Sequence, residues 1–305
     1  MSYAVLFPGQ GSQHAAMLPW LEEEAPSALV LQAMAAMLGA DWRQRLEDPD
    51  FLASNRVAQV LVTGVSLAAW AAVRAHLPAP PDIVAGYSVG ELAAVACAGA
   101  FDAATALALA AQRAQAMDAA VQGLATGLLS VSGPNQAARD RLLAEWRVET
   151  AIRIAPGHVI LAGEAATLQA VARLLADEGA HCTPLPIRVA SHSSWMRAAA
   201  TAFAQTLADV AWRPLQCAVA ANATGSALRR PQPLCEALSR QIDHTVAWDA
   251  CLETVAERRV ERVIEIGPGR ALGAMWAHQH PDVPVRSLED FRSARSAADW
   301  VQQAA

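Results

Sequence analysis

The stretch Asp82-Ile83-Val84-Ala85-Gly86-Tyr87-Ser88-Val89-Gly90-Glu91-Leu92-Ala93-Ala94-Val95-Ala96 decides how the rest of the chain reads. An apolar run of strand length meets a G-x-S-x-G turn, and helix formers follow. Strand, sharp turn and helix is the setting in which that motif exposes a serine hydroxyl. The glycines let the backbone turn tightly and keep bulk away from Ser88, and the Val89 N–H at the helix start can face an oxyanion. A plain Gly-Ser turn has the same letters, so a chemical reading needs a base, a second N–H donor and a substrate anchor elsewhere in the chain.

Composition narrows what surrounds that turn. A chain of 305 residues can hold one large domain with a smaller insert, and 54% hydrophobic against 17% charged residues is a globular balance. The apolar share is mostly alanine and leucine, which predicts more helix than strand. All 23 basic residues are arginine, so Schiff-base chemistry and the lysine of a P-loop are excluded. A net charge of −6 gives no global case for nucleic acid or an anionic membrane. The cysteines at 97, 182, 217, 235 and 251 form no C-x-x-C pair and read as reduced thiols of a cytoplasmic protein. Met1-Ser2-Tyr3 leads straight into a strand with no signal-type segment. The apolar stretch from Val57 to Val73 is interrupted by Gln59, Thr63, Gly64 and Ser66, which predicts a buried helix rather than a membrane span.

Working outward, Tyr3-Ala4-Val5-Leu6-Phe7 reads as a buried parallel strand that ends in the Gly-rich loop Pro8-Gly9-Gln10-Gly11-Ser12-Gln13. The Gln10 N–H is the candidate second oxyanion donor. Gln59 is one of few polar members of its helix and must find a partner or line a cavity. Asp102 is placed to cap a long helix from about Ala103 to Val121. On it, Arg113 sits among Ala110, Ala111, Ala114 and Met117, where small neighbours leave room for a guanidinium to grip a carboxylate bidentately.

Between Gly123 and Arg188 the pattern changes to strand, helix, strand, strand, helix, strand, the ferredoxin-like order. The last of these strands is expected over Cys182–Ile187. The boundaries expected are a large α/β subdomain over 1–122 and 189–305, with a small inserted subdomain over 123–188. The main domain resumes at Ala190-Ser191-His192-Ser193, a junction where clefts form, and His192 is the candidate base. Cys217–Asn222 reads as a strand ending in a turn, and Gln241–Trp248 as the approach to a helix. Arg262–Gly269 reads as a strand with a Gly-rich exit that fails as a dinucleotide fingerprint, because Leu272 holds the third glycine position. His278 and His280 read as helix-end residues, and no metal site is expected.

Together, Phe7–Gln13, Gly86–Glu91, Arg113, Ser191-His192-Ser193, Asn222 and Glu265-Ile266-Gly267-Pro268-Gly269 resemble the malonyl-CoA:acyl-carrier-protein transacylase family, in order and spacing from about residue 3 to 290. The resemblance implies an α/β-hydrolase-like large subdomain with a ferredoxin-like small one. It implies Ser88 as nucleophile, His192 as base, the N–H groups of Gln10 and Val89 as oxyanion hole, and the Gln241 carbonyl as the group that orients the histidine. It implies Arg113 as carboxylate anchor, with Gln59 and Asn222 at further cleft positions. Tyr87 stands where the family usually has histidine. Ser191 stands where many malonyl-selective polyketide acyltransferases have phenylalanine, which leaves room for 2-substituted acyl groups. Malonyl-CoA is then a substrate rather than a cofactor, an acyl carrier protein is the partner, and a monomer is the family default. A polyketide or malonate decarboxylase transacylase uses the same residues. A serine esterase needs an acid between serine and histidine, for which Asp102, Asp118, Asp140 and Asp177 are the available positions.

Overall fold

The structure, a computed structural model, describes residues 2–133 and 136–303. Among these, eleven strands form two sheets: β1 (Tyr3–Phe7), β2 (Ile83–Gly86), β3 (Thr126–Ser132), β4 (Glu149–Ala155), β5 (His158–Glu164), β6 (His181–Pro184), β7 (Ala218–Ala220), β8 (Ala227–Leu228), β9 (Val246–Ala247), β10 (Arg262–Glu265) and β11 (Val285–Ser287). The first sheet has the order β11-β10-β1-β2-β7-β8 and is parallel except for β8, which runs antiparallel to β7. Its central strands are apolar throughout because helices cover both faces. With Phe7 level with Gly86 and Ala85 level with Ala220, the carboxyl ends of β1, β2 and β7 finish on one edge. In an open parallel sheet that edge is where ligands bind.

The second sheet has the order β6-β3-β5-β4-β9. Its first four strands are mutually antiparallel and alternate with the helices Gln136–Trp146 and Ala165–Asp177, which is the ferredoxin-like topology. Side chains alternate along β3: Leu129 and Val131 pack under the helix Ala165–Asp177 with Leu168, Val171 and Leu175, while Leu128 and Ser130 face a cleft toward the first sheet. The two-residue strand β9 joins this sheet parallel to β4.

The helix Asn55–Arg74 is long and apolar enough to cross a membrane, yet 83% of its apolar window is buried inside the fold, packed against the helix Ala103–Ala120. It is a core helix. Asp102 caps the Ala103–Ala120 helix by accepting the Thr105 N–H. Two local expectations change. β6 stops at Pro184 instead of running to Ile187: the Leu185 N–H still donates to the Leu128 carbonyl at 3.0 Å, and the chain leaves the sheet ahead of Pro186, whose ring fixes φ. Val246–Ala247, expected only as the lead into a helix, also pairs with β4 before the helix Trp248–Ala256 begins.

Candidate active site

Ser88 sits between the end of β2 and the helix Gly90–Cys97, with φ at +54°. That left-handed conformation costs a side chain about 1–2 kcal/mol and persists only when its surroundings impose it. Here the glycines impose it: a Cβ at Gly90 collides with the carbonyl oxygens of Phe7 and Pro8, and one at Gly86 collides with the Gly90 carbonyl. The Asn222 side chain, arriving from the end of β7, donates to the Gly86 carbonyl at 2.7 Å and accepts the Ser88 N–H at 2.9 Å.

His192 is also left-handed, at φ +61°, and is 1% exposed. Its main-chain N–H donates to the Ile242 carbonyl at 2.8 Å, and its Nδ1 contacts the Gln241 carbonyl. A carbonyl only accepts, so Nδ1 carries the proton and the Nε2 lone pair faces Ser88 Oγ at 2.7 Å. Burial, aided by the nearby Arg113 charge, lowers the His192 pKa to about 3, so the ring is neutral at pH 7. None of the four candidate acids supports the imidazole. Asp102 caps its helix, Asp118 accepts from Asn55, Asp140 pairs with Arg139, and Asp177 ends the helix Ala165–Asp177.

Arg113 reaches the same point from the Ala103–Ala120 helix. Its NH1 donates to Gln59 Oε1 at 2.7 Å, and its NH2 donates to Gln241 Oε1 at 3.0 Å and approaches Ser88 Oγ at 3.5 Å. Its Nε–H has no partner among the described residues. Burial lowers its pKa to about 10, an effect opposed by Glu91, and it stays charged. A buried cation held by two neutral amide oxygens keeps its charge available for an incoming anion.

These groups meet at the floor of a cleft of about 340 Å³ between the two sheets, walled mainly by apolar side chains such as Ile152, Ile154, Leu185 and Met275. Gln10, Tyr87, Ser88, Arg113, Ser191 and His192 line it. The Tyr87 ring packs edge-on against Trp248, with centroids 5.2 Å apart, and burial pushes its hydroxyl pKa well up. The main-chain N–H groups of Gln10 and Val89 take no hydrogen-bond partner among the described residues. Gln59 and Asn222, expected at cleft positions, lie beneath the floor instead, fully buried and hydrogen-bonded to Arg113 and to the serine turn. Sequence reading also missed Glu91. It is fully buried and accepts from the Asn222 N–H at 2.8 Å and Gln241 Nε2 at 3.0 Å, and desolvation raises its pKa to about 7. A lone acid in an otherwise apolar helix was the available signal.

Chemically, the arrangement can pass the Ser88 proton to a neutral imidazole beside a fixed cation, with the Gln10 loop lining the same cleft. Among the described residues no group of three or more His, Cys, Asp or Glu side chains is placed to hold a metal ion.

Comparisons with known proteins place these features in context. The family described as "Acyl transferase domain" matches residues 5–301. A malonyl CoA-acyl carrier protein transacylase of Mycobacterium bovis is 31% identical, over 94% of this chain and 96% of its own. The crystal structure of an acyl-carrier-protein S-malonyltransferase from Burkholderia pseudomallei superposes with a TM-score of 0.90 at 30% identity, covering 98% of this chain and 100% of its own. A structure of a type II PKS acyl-carrier protein in complex with its malonyl-transacylase also matches, with a TM-score of 0.90 at 27% identity, covering 98% and 99%.

Proposed function

We propose, from the premise that this chain belongs to the acyl transferase family, that it moves a malonyl group from malonyl-CoA to the phosphopantetheine thiol of an acyl carrier protein. The observation that carries the reading is the Ser88 hydroxyl, 2.7 Å from His192 Nε2 and 3.5 Å from the Arg113 guanidinium on one cleft floor. The pair supplies acyl transfer and the guanidinium supplies selectivity for an acid.

In this reading the Arg113 fork binds the malonyl carboxylate and turns the thioester carbonyl toward Ser88. His192 Nε2 takes the hydroxyl proton as Oγ attacks, and the oxyanion is held by the N–H groups of Gln10 and Val89. The tetrahedral adduct collapses, His192 returns the proton to the departing CoA sulfur, and malonyl-Ser88 remains. The carrier thiol then attacks that ester by the reverse route, so the kinetics are ping-pong. A neutral carbonyl behind His192 makes a milder base than a carboxylate, which helps the ester survive water. CoA enters as part of the substrate, and no cofactor takes part. The same proposal holds residues 123–188 to be the small subdomain on the larger body of 1–122 and 189–305, acting as a cytoplasmic monomer.

Intact-protein mass spectrometry after brief mixing with malonyl-CoA or acetyl-CoA tests it. A malonyl adduct is expected on the wild type, absent from Ser88→Ala and about tenfold or more slower on Arg113→Ala. CoA release without an adduct would instead mean a hydrolase.

A further inference from the structure

Glu91 has no part in the reaction just described, yet its carboxylate is fully buried one layer beneath it. We propose that Glu91 is a positioning residue that, through the Gln241 side-chain amide, fixes the Arg113 guanidinium to receive the substrate carboxylate. The inference rests on the malonyl-transfer reading.

The hydrogen-bond senses leave little freedom. Gln241 Nε2 has two hydrogens, and both are spent on acceptors, one on Glu91 Oε2 and one on the Ser88 carbonyl, each at 3.0 Å. The amide oxygen must therefore point the other way, where it accepts Arg113 NH2 at 3.0 Å. Turned end for end, the amide would set NH2 against a guanidinium donor and oxygen against a carboxylate. Gln59 works in the same sense on NH1: its Nε2 is committed to Asn55 Oδ1 at 2.9 Å, so its oxygen faces Arg113. The other Glu91 oxygen is occupied by the Asn222 N–H at 2.8 Å. Every contact made by the carboxylate is an accepted one, and only an acceptor on both oxygens satisfies this site.

Glu91 thus acts on Arg113 at one remove. A carboxylate in direct contact would neutralise the guanidinium, whereas an amide relay fixes its direction and leaves its charge free. Through space the Glu91 charge opposes an entering anion, but the aligned fork is in contact with that anion and Glu91 is not. Alignment therefore dominates. Gln241 also orients His192 through its main-chain carbonyl, and a disturbance passed that way affects every acyl substrate equally. A disturbance of Arg113 falls mainly on substrates carrying a carboxylate, which lose their contact with the fork, while its effect through Ser88 and His192 is shared by all.

The test is Glu91→Gln, with initial rates of Ser88 acylation from malonyl-CoA and from acetyl-CoA read by intact mass at pH 8. The amide brought in by that substitution must face a donor with its own NH2, and the malonyl-to-acetyl rate ratio is expected to fall about tenfold, mainly through KM for malonyl-CoA. Equal losses on both substrates, or a ratio that holds or rises, would overturn the proposal. If that variant does not fold, the wild type supplies the same test by titration. Around Glu91 the ionisable groups are Arg113, at about 10, His192, at about 3, and Cys251, pushed well above its usual value, so among them Glu91 is the one at about 7; Glu265, also at about 7, is bonded to Leu272, Gly273 and Ser287 and to none of these groups. The ratio should fall as pH is lowered through about 7, and a level ratio from pH 8 to about 5.5 would overturn the idea. A wild type that takes no malonyl adduct removes the transfer reading, and this one with it. A malonylated wild type whose ratio ignores both tests removes this one alone.

Discussion

Asn222 and Ser88 are 134 positions apart, yet one side-chain amide accepts the Ser88 N–H at 2.9 Å and donates to the Gly86 carbonyl at 2.7 Å. The end of β7 thereby clamps both sides of a turn whose central residue is left-handed. Asn222→Ala leaves a buried N–H and a buried carbonyl without partners, at a cost of about 2–4 kcal/mol together. Calorimetry should show Tm lower by roughly 5–10 °C, with slower acylation of Ser88. An unchanged Tm would mean that the glycines alone hold the turn.

His192 is expected to lose about 10²–10⁴-fold in acylation rate on replacement by alanine, the usual worth of a placed general base. Its pH behaviour is the sharper check. With a pKa near 3 the ring is already neutral at pH 5, so acylation from acetyl-CoA should stay level from pH 8 to about 5. The matching stability effect has the opposite sense from a paired histidine. The unfolded chain binds a proton near pH 6.5 that the folded chain refuses until about 3, so this residue's contribution is lost as pH falls from 6.5 toward 3. An acid limb near 6.5 in acetyl transfer would contradict the buried setting.

Glu265 is a second buried acid, holding the Leu272 and Gly273 N–H groups and the Ser287 hydroxyl at 3.2, 2.8 and 2.6 Å. Desolvation raises its pKa to about 7, above the value it has unfolded. Its protonation therefore favours the folded state below pH 4.5, and that contribution is lost as pH rises through 7. The stability gap between wild type and Glu265→Gln should shrink by roughly 3 kcal/mol between pH 4.5 and 8, as measured by urea unfolding at each pH. A gap independent of pH would show that the carboxyl ionises freely.

Arg188 and Arg197 are exposed on either side of His192 in the chain and belong to no ion pair among the described residues. For an acidic carrier they are the docking cations expected nearest the site. Reversing both charges should raise the carrier's KM several-fold, more at low salt, and leave self-acylation from malonyl-CoA intact. Loss of both activities together would place these arginines in folding rather than docking.

Much of this was readable in one dimension because it depends on local chemistry. The Ala165–Asp177 helix falls where its 3.6-residue apolar repeat puts it, and Asp102 caps where a short acid precedes a helix former. The serine turn was legible because only glycine fits its close approaches. Val246–Ala247 was not read as a strand, since two residues have no period and pair only because β4 lies beside them. β6 ran short of its expected end because the chain leaves the sheet ahead of Pro186, whose ring fixes φ.

The sequence by itself determined the serine elbow, the arrangement of a ferredoxin-like segment within a larger α/β chain, and the family through the order of its motifs. These follow from backbone sterics and apolar periodicity, which act over a few residues. Tertiary structure alone decided which polar groups share a hydrogen bond. It set Gln59 behind Arg113 rather than in the cleft, and buried Glu91 against both Asn222 and Gln241. Hydrogen bonds between residues roughly 50 to 150 positions apart leave no local pattern. Their partners become fixed only when the two sheets and their helices close on one cleft and every buried donor must find an acceptor.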